Sequence, residues 1–195
     1  MTFGIVAETH RLALRPVVPA DAPATAALMT PAVAARLLSW PAPMSVGQAR
    51  QRIDQGIAAL AAGSGADLAI RRHSDGRLIG WIGASVVEAP RRLGAIGYWL
   101  GSDFHDQGYM REAAHAALPW LVDRLDLAAV EAGVQAHNFA SQAILEGLGF
   151  QIKARRRLFS PTRGAEEDAI VFAVPSARLT LSPSLAPERR AYAMR

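Results

Sequence analysis

The chain of 195 residues contains no cysteine. That excludes disulfides, thiolate metal ligands and a cysteine nucleophile, and leaves any catalysis to histidine, carboxylates, hydroxyls and backbone dipoles. No run of about eighteen uncharged apolar residues occurs, so no segment reads as a membrane-spanning helix. The first residues carry Glu8 and no basic stretch ahead of an apolar one, which is not the pattern of a secretion signal, and the expectation is a cytoplasmic protein without membrane association. The five histidines show no metal-ligand spacing, so no metal is expected. Lysine is nearly missing: Lys153 stands alone among 21 basic residues. The pI of about 10.3 therefore rests on arginines dispersed in small groups such as Arg71-Arg72 and Arg155-Arg156-Arg157, and the net charge is only +4. Such a pattern reads as composition rather than as a nucleic-acid surface. What is present is 51% hydrophobic, enough for one domain with a sizeable core.

Leu12 and Leu14 alternate with polar neighbours and stop at Pro16, which suits a first strand. Asp21 is placed to cap a short helix. Ser45 and Gln48 have capping-box spacing, and Ile53, Ile57 and Leu60 follow at helical intervals until Gly63-Ser64-Gly65. Strands over 67–72 and 77–87 flank the Asp75-Gly76 turn, and 93–100 adds a third antiparallel strand. Residues 109–125 read as an amphipathic helix interrupted by Pro119, and 128–135 as a buried strand. Asn138 can cap a helix over 139–147 that ends at a left-handed Gly149, before a final hairpin turning at 161–164. Residues 1–175 read as one domain, and the proline- and serine-bearing 176–195 as a tail that is disordered or packed on a partner subunit.

The richest segment runs from Phe104 through His105, Asp106, Gln107, Gly108, Tyr109, Met110 and Arg111 to Glu112, directly after the aromatic strand Ile96-Gly97-Tyr98-Trp99-Leu100. A turn of backbone N–H groups then lies against a helix N-terminus, an arrangement that binds a pyrophosphate. Some thirty residues on come Asn138, Ser141 and Leu145-Glu146-Gly147-Leu148-Gly149-Phe150. With this order of elements, the two segments resemble the GNAT superfamily of acetyltransferases, and within it the branch that acetylates ribosomal-protein N-termini. The resemblance runs from about residue 10 to residue 174 and implies an α/β (α+β) fold. Its mixed, mostly antiparallel sheet of about seven strands would splay around an acyl-CoA cleft, flanked by about four helices.

By that resemblance, acetyl-CoA is the co-substrate. The strand edge at Trp99 and Leu100 would hydrogen-bond the pantetheine, and the loop from His105 through Asp106, Gln107, Gly108 and Tyr109 to Met110 would hold the pyrophosphate, with Arg111 beside a phosphate or solvated. Asn138 would orient the pantetheine, fix the loop or simply cap its helix. Ser141 would donate a proton or hydrogen bond to the departing thiolate. Trp40, Met44 and the helix after Ser45 would shape the acceptor side. Three departures stand out: Asp106 occupies a position where glycine is usual, Ala95 one where many members carry glutamate, and Met110 one where a smaller residue is common in the superfamily, although this branch often accepts bulk there. Glu88 and His137 remain as bases acting through water. At pH 7.5, neutralising a lysine-type amine costs roughly 4 kcal/mol and an α-amine under about 1 kcal/mol. A chain without that glutamate therefore suits a protein or peptide N-terminal α-amine attacking directly in a ternary complex, as a monomer or homodimer. The alternatives are a small-molecule amine as acceptor, or a non-catalytic acyl-CoA-binding protein of the same fold.

Overall fold

The computed structural model describes residues 4–179. One sheet of eight strands organises them, with β1 (Ala7–Glu8), β2 (Leu12–Pro16), β3 (Gly65–Arg72), β4 (Leu78–Glu88), β5 (Leu93–Leu100), β6 (Ala129–Gln135), β7 (Gln151–Ser160) and β8 (Ala165–Pro175). They lie in the order β1-β2-β3-β4-β5-β6-β8-β7. Every neighbouring pair is antiparallel except β5 and β6. The strand beyond the expected seven is the two-residue β1. The final hairpin folds back so that β8, not β7, pairs with β6, from Ala129↔Pro175 to Gln135↔Ala169.

Helices cover both faces of the central strands, and β4 reads accordingly as an apolar run, buried from Leu78 to Ala84, whereas the edge strand β7 is mostly exposed. One face packs under α4 (Tyr109–Arg124) and α5 (Phe139–Gly147), where Leu14, Ile70, Ile82, Leu118, Leu121, Val134 and Leu145 share a core. The other packs under α1 (Ala22–Leu28), the short α2 (Pro31–Ala34) and α3 (Val46–Ala62), with Val17, Met29, Ile53, Trp81 and Trp99 in contact. Met44, 8% exposed, belongs to this second core.

Local signals explain most element ends. Gln48 N donates to Ser45 Oγ at 3.2 Å and Ser45 N to Gln48 Oε1 at 2.8 Å, closing the capping box of α3, and Gly63 ends that helix with φ +68°. Gly76 and Gly149 take the left-handed conformations that their turns require. Residues Ser176–Leu179, the start of the expected tail, form a turn of helix, α6, with Leu179 7% exposed against the first core; residues 180–195 lie outside those described.

Asp21 does not do what its position in the sequence implies. It stands at the N-cap of α1 with helical dihedrals and makes no side-chain cap. Its carboxylate, 2% exposed, instead accepts two hydrogen bonds from Arg15, at 2.7 and 2.9 Å, and one from Val18 N at 3.0 Å, and faces Arg71 at 3.4 Å. It therefore joins β2, β3 and the start of α1. Removing the carboxylate takes a charged acceptor from two guanidinium groups that solvent reaches in part, their side chains 19% and 35% exposed. Asp21→Ala should cost about 2 to 3 kcal/mol, read as a lower urea midpoint at unchanged slope.

Candidate active site

The parallel neighbours β5 and β6 pair at three positions only, Leu93↔Ala129, Gly94↔Val130 and Ala95↔Glu131. Beyond them β5 runs on beside β4 as far as Leu100, and β6 runs on beside β8 as far as Gln135. The sheet thus opens into a wedge, a cleft of about 590 Å³ whose walls include Ile96 to Leu100 and Ala132 to Gln135.

Strand alternation decides which groups face it. Gly101 N donates to Ile79 O of β4 at 2.9 Å, so the backbone groups of Leu100 and Tyr98 turn the other way, into the wedge. Leu100 O accepts from His105 Nε2 at 3.0 Å; a carbonyl only accepts, so His105 carries its proton on Nε2. Trp99 has the opposite setting. Its backbone faces β4, and its side chain packs among Trp40 and Trp81 on the α1–α3 face, with ring centroids 5.2 and 6.2 Å away. The sequence places Trp99 with Leu100 at the donor edge; the alternation moves it to the far side of the sheet.

At one mouth of the cleft lies the loop between β5 and α4, represented by His105, Asp106, Gly108, Met110 and Arg111. Asp106 has φ +59° and Gly108 φ +76°. This accounts for a glycine preference at 106 and for the tolerance of aspartate, one of the few side chains at ease in the left-handed region. Gly108 stands at the N-cap of α4 with no side-chain cap, so the first N–H groups of the helix are left to an anion. Arg111 is exposed and has no ion-pair partner among the described residues. Gln107 faces away: its Nε2 donates to Asp103 O at 2.8 Å, and its carbonyl accepts from Arg11 Nη1 at 3.0 Å. Arg11, stacked 4.4 Å over the Tyr109 ring, also donates from Nε to Glu112 Oε2 at 2.6 Å. Thr9 Oγ1 donates to Glu112 Oε1 at 2.5 Å. The helix start is thereby fastened to the segment entering β2.

Deeper in, Tyr98 Oη lies 2.9 Å from Ser141 Oγ and donates to Ser141 O at 3.2 Å. Burial pushes the Tyr98 phenol up to about 12, against the opposite pull of its hydrogen bond with Ser141. It therefore stays protonated at neutral pH. Asn138 Oδ1 accepts from Ser141 N at 3.2 Å, which makes it the N-cap of α5 and fixes where Ser141 sits.

The other mouth opens on the α1–α3 face. Trp40 lines it and packs on Trp99 and Trp81, with Arg52 4.0 Å over its ring. The segment from Ala34 to Leu38 is tied across to the β7–β8 hairpin: Ser160 Oγ donates to Leu38 O at 2.9 Å, and Arg163 Nη1 to Leu37 O at 3.0 Å and Ala34 O at 3.4 Å. The cleft passes through the sheet, with the loop before α4 at one end and this strap at the other.

Two sequence candidates stay outside it. Glu88 pairs in register with Leu93, five residues before Tyr98 and so roughly 16 Å back along β5, and is salt-bridged to Arg91 at 3.1 Å. It ends its strand on the surface. His137 is exposed near Glu167 rather than in the cleft wall. Conversely, Tyr98 and Gln135 were not singled out by sequence. Tyr98 could have been, because it shares a strand face with Leu100; Gln135 offered no signal, since its partners Ala35 and Glu167 are distant in the chain.

Residues 11–151 match the family model described as an acetyltransferase (GNAT) domain. Among relatives, the uncharacterized N-acetyltransferase YoaA of Bacillus subtilis (strain 168) is 27% identical over 173 residues, 89% of this chain and 98% of that one. The [ribosomal protein bS18]-alanine N-acetyltransferase of Escherichia coli (strain K12) is 38% identical over 74 residues, 36% of this chain. The chain spans about half the length of some curated relatives it matches, 50% of that enzyme and 55% of YdaF of Bacillus subtilis. Among solved structures, the RimL ribosomal L7/L12 α-N-protein acetyltransferase in complex with coenzyme A superposes with a TM-score of 0.76 at 21% identity, over 88% of this chain and 98% of that one. At that identity the likeness is one of fold. Among the described residues no helix is long and apolar enough to cross a membrane.

The Glu112 clamp has a pH signature. Burial pushes its carboxyl up, but the hydrogen bonds from Thr9 and Arg11 and the Arg11 charge outweigh burial and hold it below the ordinary value. A depressed carboxylate contributes stability in full above its unfolded pKa, about 4.3, and loses it as pH falls through the lower folded value. The difference in urea midpoint between wild type and Glu112→Gln should be largest near neutrality and shrink on acidification below about pH 4.

Proposed function

Because the chain belongs to the GNAT acetyltransferase family, we propose that it transfers the acetyl group of acetyl-CoA to the α-amine of a protein or peptide N-terminus, by direct attack in a ternary complex. The observation that carries the reading is the cleft through the sheet, with an uncapped helix start at one mouth, a strapped aromatic mouth at the other, and the Tyr98–Ser141 hydroxyl pair on its wall. When bound, acetyl-CoA supplies the thioester that the amine attacks. The residues present fit it: the backbone of Tyr98 and the N–H of Leu100 offer an open strand edge to an extended amide-bearing arm, the Leu100 carbonyl already accepting from His105. The N–H groups at the start of α4 and the Arg111 guanidinium offer charge to phosphates.

Ser141 then donates a hydrogen bond or proton toward the departing sulfur, with the protonated Tyr98 phenol behind it. With Glu88 held on the surface by Arg91, no strong side-chain base is assigned to the cleft, which favours an amine with a substantial neutral fraction near physiological pH. The names of the relatives favour a ribosomal protein as the bearer of that α-amine.

The reading is tested by incubating the protein with acetyl-CoA and peptides having free N-termini, blocked N-termini with a lysine, or simple amines in their place. Mass increase confined to free N-termini is expected; modification of lysine or of simple amines alone would overturn it. Ser141→Ala should lower kcat by about a hundredfold or more with acetyl-CoA still bound, and Tyr98→Phe by less. Unchanged kcat in Ser141→Ala would remove the donor role. Asp106→Asn keeps a side chain that tolerates φ +59° and removes one negative charge beside the phosphates. It should bind CoA several-fold more tightly at low salt, the gain fading as salt rises, as titration calorimetry would measure.

A further inference from the structure

Two residues that line the cleft each carry a buried polar atom with no partner among the described residues, the indole Nε1 of Trp99 and the amide Oε1 of Gln135. Their side chains are 5% and 3% exposed. Buried groups of this kind are ordinarily paired, and two in one cleft ask for a ligand.

Their chemistry is unambiguous. Gln135 Nε2 donates to Ala35 O at 3.1 Å and to Glu167 Oε2 at 2.6 Å. Turning the amide over would set its oxygen against a carbonyl and a carboxylate, so the nitrogen stays where it is and Oε1 remains an open acceptor. The Trp99 indole can only donate. Its neighbour Trp81 shows the satisfied case, with Nε1 donating to Thr25 Oγ1 at 3.1 Å.

Both side chains project on the face opposite α4. Val130, Ala132 and Val134 of β6 belong to the core under α4, which turns Gln135 to the other side, where Ala35 meets it. Trp99 lies in the core on that same side. Beside Trp99 the floor is open: a Cβ built on Gly97, two residues before it, would meet no atom within 4 Å, whereas Gly133, two residues before Gln135, lies under Leu158 and Leu38. The donor side of the reaction uses neither atom, since the backbone of Tyr98 and Leu100, the loop before α4 and the Tyr98–Ser141 pair lie elsewhere on the wall.

Resting on the N-terminal reading above, we propose that Trp99 Nε1 and Gln135 Oε1 form a donor–acceptor pair that reads the first peptide unit of the acceptor. The indole N–H donates to the carbonyl oxygen of the first residue, and the glutamine oxygen accepts from the amide N–H of the second. A simple amine offers nothing to the indole, and an ester or a proline in second position offers nothing to the glutamine. A site that hydrogen-bonds a substrate group discriminates against analogues lacking it, because its own buried atom is then stranded.

The experiment compares kcat/KM of the wild-type protein for three acceptors: an aminoacyl N-methylamide, the corresponding methyl ester, and the alkyl amine with the same side chain and no carbonyl. The amide should exceed the ester by about tenfold or more. Equal rates for amide and ester, corrected for the fraction of neutral amine, would overturn the role of Gln135 without any variant that might misfold. In Trp99→Phe, the ratio of amide to alkyl amine should fall about tenfold; a parallel loss on both acceptors would mark a packing role and overturn the pairing. In Gln135→Met the amide-to-ester preference should vanish, and its persistence would count against the assignment. Should the wild type turn over the alkyl amine but neither aminoacyl compound, the N-terminal reading itself falls, a result distinct from equal amide and ester rates.

Discussion

Everything in this molecule that concerns chemistry depends on the pairing of β5 with β6 ending after three residue pairs. Between its two edges, β1 and β7, every other neighbouring pair of strands in this sheet keeps its backbone paired along most of its length. The wedge interrupts that continuity and leaves unsatisfied strand edge inside the fold, a condition that is costly unless something with amide groups can fill it. The same opening gives the two faces separate duties. One carries the loop and helix start suited to an anion, and the other the aromatic mouth beneath the strap, so two substrates can approach one point without competing for the same surface.

The sequence was most legible where the determinant is local. The capping box of Ser45 and Gln48, the left-handed glycines, the Asn138 cap and the three-strand meander are all specified by residues within a few positions of each other, and they lie where the pattern puts them. The fold class followed from the order of such elements. Asp21 is the instructive exception. Its local context offered a cap, and two arginines from neighbouring strands outbid that use by pairing with it in a buried setting.

The site was legible in part, for the same reason. The donor loop and Ser141 sit on contiguous motifs, whereas the contact between Tyr98 and Ser141 joins residues 43 apart and depends on how deep α5 rides over β5. Glu88 failed on register: counting along a strand is enough to name a carboxylate near its end, but not to know which end faces the cleft. Trp99 failed on parity, one residue of alternation carrying it from one face to the other. Asp106 shows the converse. A residue that looks wrong beside a phosphate becomes intelligible once its backbone is known to need a left-handed conformer.

The strap over the aromatic mouth has little local reason to be ordered. Its carbonyls at Ala34, Leu37 and Leu38 are held by Arg163 and Ser160, across sequence separations of 122 to 129 residues. That long loop is closed when the chain folds, and the entropy of closing it is part of the folding equilibrium. On the reading proposed above, an incoming acceptor meets an edge already in place and need not order it, so affinity at this mouth is not diminished by a disorder-to-order cost. The tip of a distant hairpin thus anchors the rim of this mouth, and on the proposed reading loosening that tip would be felt as weaker association rather than as slower chemistry.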